Sequence, residues 1–218
     1  MRSTAALHGC ASSMLISVRI IAGSLRSRTL QAPRGLATRP TSDRLRETLF
    51  NVLAPRTEGT RFLDLYAGSG AVGIEALSRG AAHVVFVERA PAALAVLRGN
   101  LTKLGVREGF RIQSSGVGAW LRRPQADRTQ ADQAQIFDLV FLDPPWDAAE
   151  EYAATLGLLG GAAAGLLAPG ALVIAEHRRK QKLAESYGSL ERTRLLEQAD
   201  AALSFFAAAS AASNLLPT

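Results

Sequence analysis

From residue 61 to residue 176, short apolar runs alternate with longer helical stretches, and this alternation constrains the chain more than any other feature. Arg61–Tyr66, His83–Glu88, Phe110–Gln113, Phe137–Leu142 and Gly170–Glu176 are brief and mostly apolar, as strands are. Val72–Arg79, Pro91–Leu104, Gly118–Arg123 and Ala148–Leu167 lie between them and suit helices. Parallel strands must be joined by crossovers of a dozen or more residues, so the pattern predicts an α/β fold with a parallel, doubly wound sheet. Leu190–Leu196 and Ala202–Phe206 are too closely spaced for a helical crossover and are predicted to pair antiparallel.

The flanks read differently. Residues 1–17 are small, polar and aperiodic, which predicts a disordered leader with Met14 as a plausible start. Residues 18–55 form a basic extension: two β-prone runs around Gly23-Ser24, then Leu45, Leu49, Val52 and Leu53 at helical spacing, with Pro55 expected to stop the helix. Residues 56–206 are the main domain, interrupted by a polar loop at 124–135, and 207–218 are a low-complexity tail.

Charge is placed as unevenly as structure. Nine arginines and only Asp43, Glu47 and Glu58 fall in residues 1–60, and this segment accounts for the whole net charge of +6. A balanced body with a basic arm fits a phosphate-backbone binder. Hydrophobic residues make up 48% of the chain, but no apolar run approaches the roughly 18 residues needed to span a bilayer. The single cysteine, Cys10, excludes an internal disulfide framework and fits a reducing, cytoplasmic setting. The three histidines, at 8, 83 and 177, form no metal-ligand pattern, and none pairs with a nucleophile. His177 is expected to be solvated beside Arg178, Arg179 and Lys180.

Phe62-Leu-Asp64-Leu-Tyr66-Ala-Gly68-Ser-Gly70-Ala-Val-Gly73 reads as a strand, a glycine turn and a helix start. Glycines let backbone amides approach a ligand, and a helix N-terminus favours negative charge. Glu88 closes the next strand, where a carboxylate can accept ribose hydroxyls. These features also match a dinucleotide fingerprint. Asp64 argues against that reading, because a carboxylate there repels a pyrophosphate and suits a ligand ammonium.

Val140-Phe-Leu-Asp143-Pro144-Pro145-Trp146 closes the fourth strand at the carboxyl edge, where open α/β sheets bind ligands. An exocyclic base amine is a poor nucleophile because its lone pair is delocalised into the ring. Acceptors around its two N–H bonds favour a pyramidal nitrogen, and the Asp143 carboxylate and Pro144 carbonyl can supply them. Pro144 and Pro145 stiffen the turn and remove its own donors. Trp146 offers a face on which a base can stack.

These two motifs resemble those of class I methyltransferases acting on exocyclic amines. At the N-terminus Arg19-Ile-Ile-Ala-Gly23, Arg39-Pro-Thr-Ser-Asp43-Arg44 and Arg46-Glu-Thr-Leu-Phe-Asn51 sharpen the likeness. They are similar to the bacterial RsmD family, which methylates guanine N2 in 16S ribosomal RNA. The resemblance implies a Rossmann-like, seven-stranded, mostly parallel sheet with an antiparallel C-terminal strand and a small N-terminal hairpin and helix. It also implies S-adenosylmethionine as cofactor, an assembling small ribosomal subunit as partner, no metal, and a monomeric enzyme. By position, Asp64, Tyr66, Gly68, Gly70, Glu88, Arg89, Ser115 and Gly116 would hold the cofactor. Asp143, Pro144, Pro145 and Trp146 would hold the flipped guanine. Arg26, Arg28, Arg39, Thr41 and Arg44 would meet RNA. Two positions depart from the family pattern: Ser114-Ser115-Gly116 stands where an acidic residue is expected near the adenine amine, and Ser27 stands where a glycine is expected.

Other readings stay open on these residues. Adenine-N6 methylation needs the same turn, a catalytically silent RNA-binding protein could keep the scaffold, and a nicotinamide enzyme shares the glycine turn.

Overall fold

A computed structural model describes residues 15–33, 43–123 and 136–208. The N-terminal strands β1 (Leu15–Arg19) and β2 (Thr29–Pro33) pair antiparallel, with Val18 opposite Leu30. β1 therefore begins inside the stretch expected to be leader. Helix α1 (Asp43–Thr57) follows, with Asp43 in its first turn and Arg56 in its last, both favourable to the helix dipole. Its Leu45, Leu49, Phe50 and Leu53 are buried. Pro55 does not stop this helix. It falls in the last turn, where its missing N–H forgoes only a bond to the carbonyl of exposed Asn51, and the Thr57 hydroxyl donates to the Leu53 carbonyl at 2.9 Å.

The main sheet is built from β3 (Arg61–Leu65), β4 (His83–Glu88), β5 (Phe110–Ser114), β6 (Phe137–Leu142), β7 (Leu167–Arg178), β8 (Ser186–Tyr187), β9 (Leu190–Gln198) and β10 (Ala201–Ala208). Their order is β5-β4-β3-β6-β7-β10-β9-β8. The first five are parallel, as the alternation predicts, and β10, β9 and β8 continue antiparallel. The sheet thus has eight strands where seven are expected. The extra strand, β8, is two residues long, too short to show periodicity, and Tyr187 anchors it edge-on to Phe206 with ring centroids 5.7 Å apart.

Helices α2 (Ala71–Ser78), α3 (Pro91–Leu104), α4 (Val117–Leu121) and α5 (Glu150–Leu159) cover the sheet. The single helix expected over 148–167 is divided into α5 and a 3-10 turn at Ala164–Leu166. The break falls at Gly160, whose Cα lies so close to the Tyr187 carbonyl that a Cβ would sit 1.7 Å from the oxygen.

Each face of the sheet has its own core. The hairpin, α1, α2 and α3 pack with Phe62, Phe86, Phe141 and Ile174 on one face. α4 and α5 pack with Leu63, Val85, Val140 and Val173 on the other. The basic extension therefore shares a core with the main domain. It is also tied there by charge: the Glu75 carboxylate, fully buried on α2, accepts the Ile21 and Ala22 amides at 2.8 and 3.0 Å and the Arg79 guanidinium at 2.7 Å. Buried Arg46 lies 3.7 Å from the same carboxylate and also donates to the Arg19 carbonyl. Among the described residues no helix is long and apolar enough to cross a membrane.

Candidate active site

The carboxyl ends of β3, β4, β5 and β6 open into a cleft of about 900 Å³. Asp64, Tyr66, Gly68, Glu88, Arg89, Ser115, Gly116, Asp143 and Pro145 all line it, so sequence-distant motifs meet in one place. Gly70, Pro144 and Trp146 do not line it. Gly70 makes the turn instead: it sits at φ +80° as the N-cap of α2, and a Cβ there would strike Leu97 at 2.3 Å. Gly73 is required for packing, since a Cβ would lie 2.3 Å from the Phe86 ring.

The two carboxylates beside the glycine turn are both bound to backbone. Asp64 is buried, and its Oδ2 accepts the Gly73 amide at 2.9 Å. Burial pushes its pKa up to about 7, the Gly73 hydrogen bond opposes the shift, and the Glu88 charge adds to it. Glu88 braces the glycine turn through Gly68 N–H on Oε2 at 2.9 Å, and holds Arg89 N–H and Ala90 N–H on Oε1, both at 2.7 Å. A carboxylate oxygen has two lone pairs, so one on Oε2 remains for a ligand hydroxyl. Ser115 is fixed by its amide, which donates to the Glu88 carbonyl at 3.0 Å.

The end of the cleft at the turn after β6 is also acidic. Leu65 pairs with Leu142 and Leu142 with Ala175, so Asp143 rises between Tyr66 and Glu176. Burial, then the Glu176 charge, then that of Asp64, hold the Asp143 carboxyl well above the usual range. Trp146 carries the Arg178 guanidinium over one ring face, 4.9 Å from the centroid.

Tyr66 does more than line the cleft. It adopts φ +61°, which is strained for a residue with a side chain. Its hydroxyl donates to Glu151 Oε2 at 2.8 Å and meets Thr155 Oγ1 at 2.7 Å, joining the end of β3 to α5. Burial raises its pKa, so it stays a neutral phenol. Sequence reasoning missed Glu151 and Thr155, along with Asp147 and Arg122, which also line the cleft. Glu151 and Thr155 are one helical turn apart just after the Asp-Pro-Pro-Trp turn, a spacing that points both at the same neighbour.

Arg26 and Arg44 lie exposed beside Arg19 along a second groove on the extension. Arg28 is exposed, with a long 3.4 Å contact to the Lys103 carbonyl. Arg39 and Thr41 lie outside the described residues. His177, expected to be solvated, is buried: one ring nitrogen meets the Arg178 carbonyl and the other the Ser204 hydroxyl, both at 2.9 Å. Burial lowers its pKa, which keeps it neutral.

Comparison with known proteins adds three likenesses and a family. The sequence family described as "Conserved hypothetical protein 95" matches residues 18–207. "Ribosomal RNA small subunit methyltransferase D" of Escherichia coli (strain K12) is 40% identical over 129 residues, which are 59% of this chain and 60% of that protein. The solved structure of Escherichia coli yhhF is 31% identical, superposes with a TM-score of 0.74, and covers 88% of this chain and 98% of its own. SMU.776, solved in complex with SAH, shares the fold at 12% identity and a TM-score of 0.66 over 92% of this chain and 58% of that one.

Proposed function

The chain belongs to the family described as conserved hypothetical protein 95, the RsmD family, and from that premise we propose that it methylates the exocyclic N2 amine of a guanine in small-subunit ribosomal RNA, with S-adenosylmethionine as donor. The observation that carries this reading is the meeting of two carboxylates, buried Asp64 and half-buried Asp143, in one cleft behind a glycine turn. Such a cleft resists a pyrophosphate and attracts a cation.

The residues present fit this cofactor. When bound, S-adenosylmethionine supplies an electrophilic methyl group on a sulfonium. Asp64 would hold its ammonium, Glu88 would accept a ribose hydroxyl, and Ser115 would meet the adenine. Positive charge beside Asp64 and Asp143 brings both groups back towards their ionised forms, reversing what burial has done.

At the other end of the cleft, Asp143 accepts one N–H of the target amine; the Pro144 carbonyl, on the same turn but outside the lining, is the candidate for the other once the base is seated, and together they free the nitrogen lone pair. Asp143 then takes the proton that the amine sheds once it carries the methyl group. Most of the catalysis comes from this preorganised electrostatics together with in-line positioning. The acidic lining at Asp147, Glu150 and Glu151 favours guanine, which offers N–H groups at N1 and N2, over adenine, whose N1 is an acceptor. The arginines of the extension hold the RNA backbone. Mapping methylated nucleotides in small-subunit RNA from cells with and without the gene tests the reading. A missing N2-methylguanine supports it, a missing N6-methyladenine transfers the activity to adenine, and an unchanged map refutes it.

A further inference from the structure

Beside the Asp143–Trp146 turn stands a cation that the reading above leaves without a task. β7 runs beside β6 in parallel register and ends at Arg178, so its last residues rise next to the Asp143–Trp146 turn. Arg178 is exposed, and its guanidinium lies 4.9 Å from the centre of the Trp146 ring. No carboxylate among the described residues pairs with it. Its neighbour Arg179, by contrast, pairs with Glu197 at 3.5 Å, and Arg192 pairs with Glu185. Lys180 and Lys182 follow on the same exposed turn.

An unpaired guanidinium parked on an indole is held by a cation–π contact worth about 0.5–1 kcal/mol at an exposed site. That contact uses the flat face of the group and leaves its in-plane N–H donors pointing outward. A planar fork of donors fits the oxygens of a phosphate two at a time. The one anionic group of S-adenosylmethionine, its carboxylate, has the glycine turn and the N-terminus of α2 for partners, so it needs no guanidinium on β7. The anion must therefore arrive with the acceptor.

Resting on the RNA-methyltransferase reading, we infer that Arg178, held on Trp146, grips the backbone phosphate of the nucleotide whose base enters the acceptor end of the cleft. A base that leaves its stack swings about its own backbone. A grip on the adjoining phosphate fixes the pivot of that swing, while Trp146 keeps its other face for the base. Lys180 and Lys182 extend the same basic strip along the strand. This strip is separate from the groove formed by Arg19, Arg26 and Arg44 on the extension.

The test uses the full chain with Arg178→Ala and Arg178→Lys, deproteinised 16S ribosomal RNA and purified small-subunit particles. RNA affinity is measured across a salt series, methyl transfer is followed under single turnover, and S-adenosylmethionine affinity is measured by calorimetry. Arg178→Ala should lower the salt slope by about 0.7–0.9 units, as expected for one lost phosphate contact. It should weaken RNA binding and slow transfer, with cofactor affinity unchanged. Arg178→Lys should keep most of the slope but recover only part of the rate, since an ammonium restores charge without the fork. An Arg178→Ala protein with wild-type slope and rate overturns the inference and leaves the functional reading standing. Wild-type protein that transfers no methyl group to either RNA overturns both.

Discussion

If Asp64 holds the cofactor as proposed, binding becomes a function of pH. The Asp64 pKa stands at about 7 in the ligand-free protein against an ordinary 3.8. If the carboxylate must be charged to hold a cationic ligand, apparent affinity scales with its ionised fraction. That fraction is about 1% at pH 5 and about half at pH 7, so affinity should rise roughly fifty-fold across the interval. The window ends below the range in which an α-amino group loses its proton, about 7.7–8.0. Stability should run the other way. The native state holds the Asp64 proton where the unfolded chain has released it, so the ligand-free protein loses stability as pH climbs from about 4 to about 7. The full loss is on the order of 4 kcal/mol. Calorimetry at pH 5, 6 and 7 reads the first effect and thermal unfolding the second. Asp64→Asn serves as the control: it should bind the cofactor weakly at every pH and lose the Asp64 share of the downward stability slope, leaving the share of the raised Asp143 carboxyl. Asp143→Asn separates the neighbouring carboxyl. Cofactor affinity that is flat between pH 5 and 7 in the wild type, or a stability slope as steep in Asp64→Asn as in the wild type, would refute the assignment.

Three further outcomes follow from the same geometry. Asp143→Ala should cut single-turnover methyl transfer by at least about 10²–10³ with cofactor affinity retained, and Asp143→Asn should be milder because an amide oxygen still accepts a hydrogen bond. Tyr66→Phe should leave Glu151 and Thr155 without their shared partner and cost about 1–3 kcal/mol; a chemical-denaturation series reads that loss, and a double-mutant cycle with Thr155→Val assigns it to the clip. Ser27→Gly should stabilise the protein by about 1 kcal/mol, because Ser27 sits at φ +66°, and differential scanning calorimetry should show the higher melting temperature.

What the sequence made visible was whatever depends on local spacing. The glycine turn between β3 and α2, the proline turn after β6 and the antiparallel pair β9 and β10 each announce themselves within a dozen residues. Ser27 shows the limit of that signal. As a departure from a family glycine it is visible, but that the position needs a positive φ is visible only in the structure. Arg46 was read within a block of arginines suited to RNA, yet it is fully buried against Glu75, a partner 29 positions away. Charge patterns carry no information on burial, so an arginine that pins the extension looks the same as one that meets phosphate. The Tyr66 clip was hidden for the same reason, since Tyr66 and Glu151 are 85 residues apart.

The arrangement of carboxylates explains why the cleft is a site at all. Phe141 lies opposite Asp64, so Asp143, two residues further along β6, returns to the same face of the sheet. Glu176 then stands beside Asp143 by the register of β7. Parallel strands that end together therefore bring three acids to one edge, with Asp64 and Glu176 buried and Asp143 half-buried in the lining of the cleft. Burial and mutual repulsion make this arrangement costly in the empty protein, as the raised Asp64 and Asp143 carboxyls record. A cationic ligand relieves that cost and a neutral or anionic one does not. On the proposed reading, selectivity for the donor is set by the same strand register that aligns the acceptor turn, so a change that shifted β6 by one residue would remove both functions together.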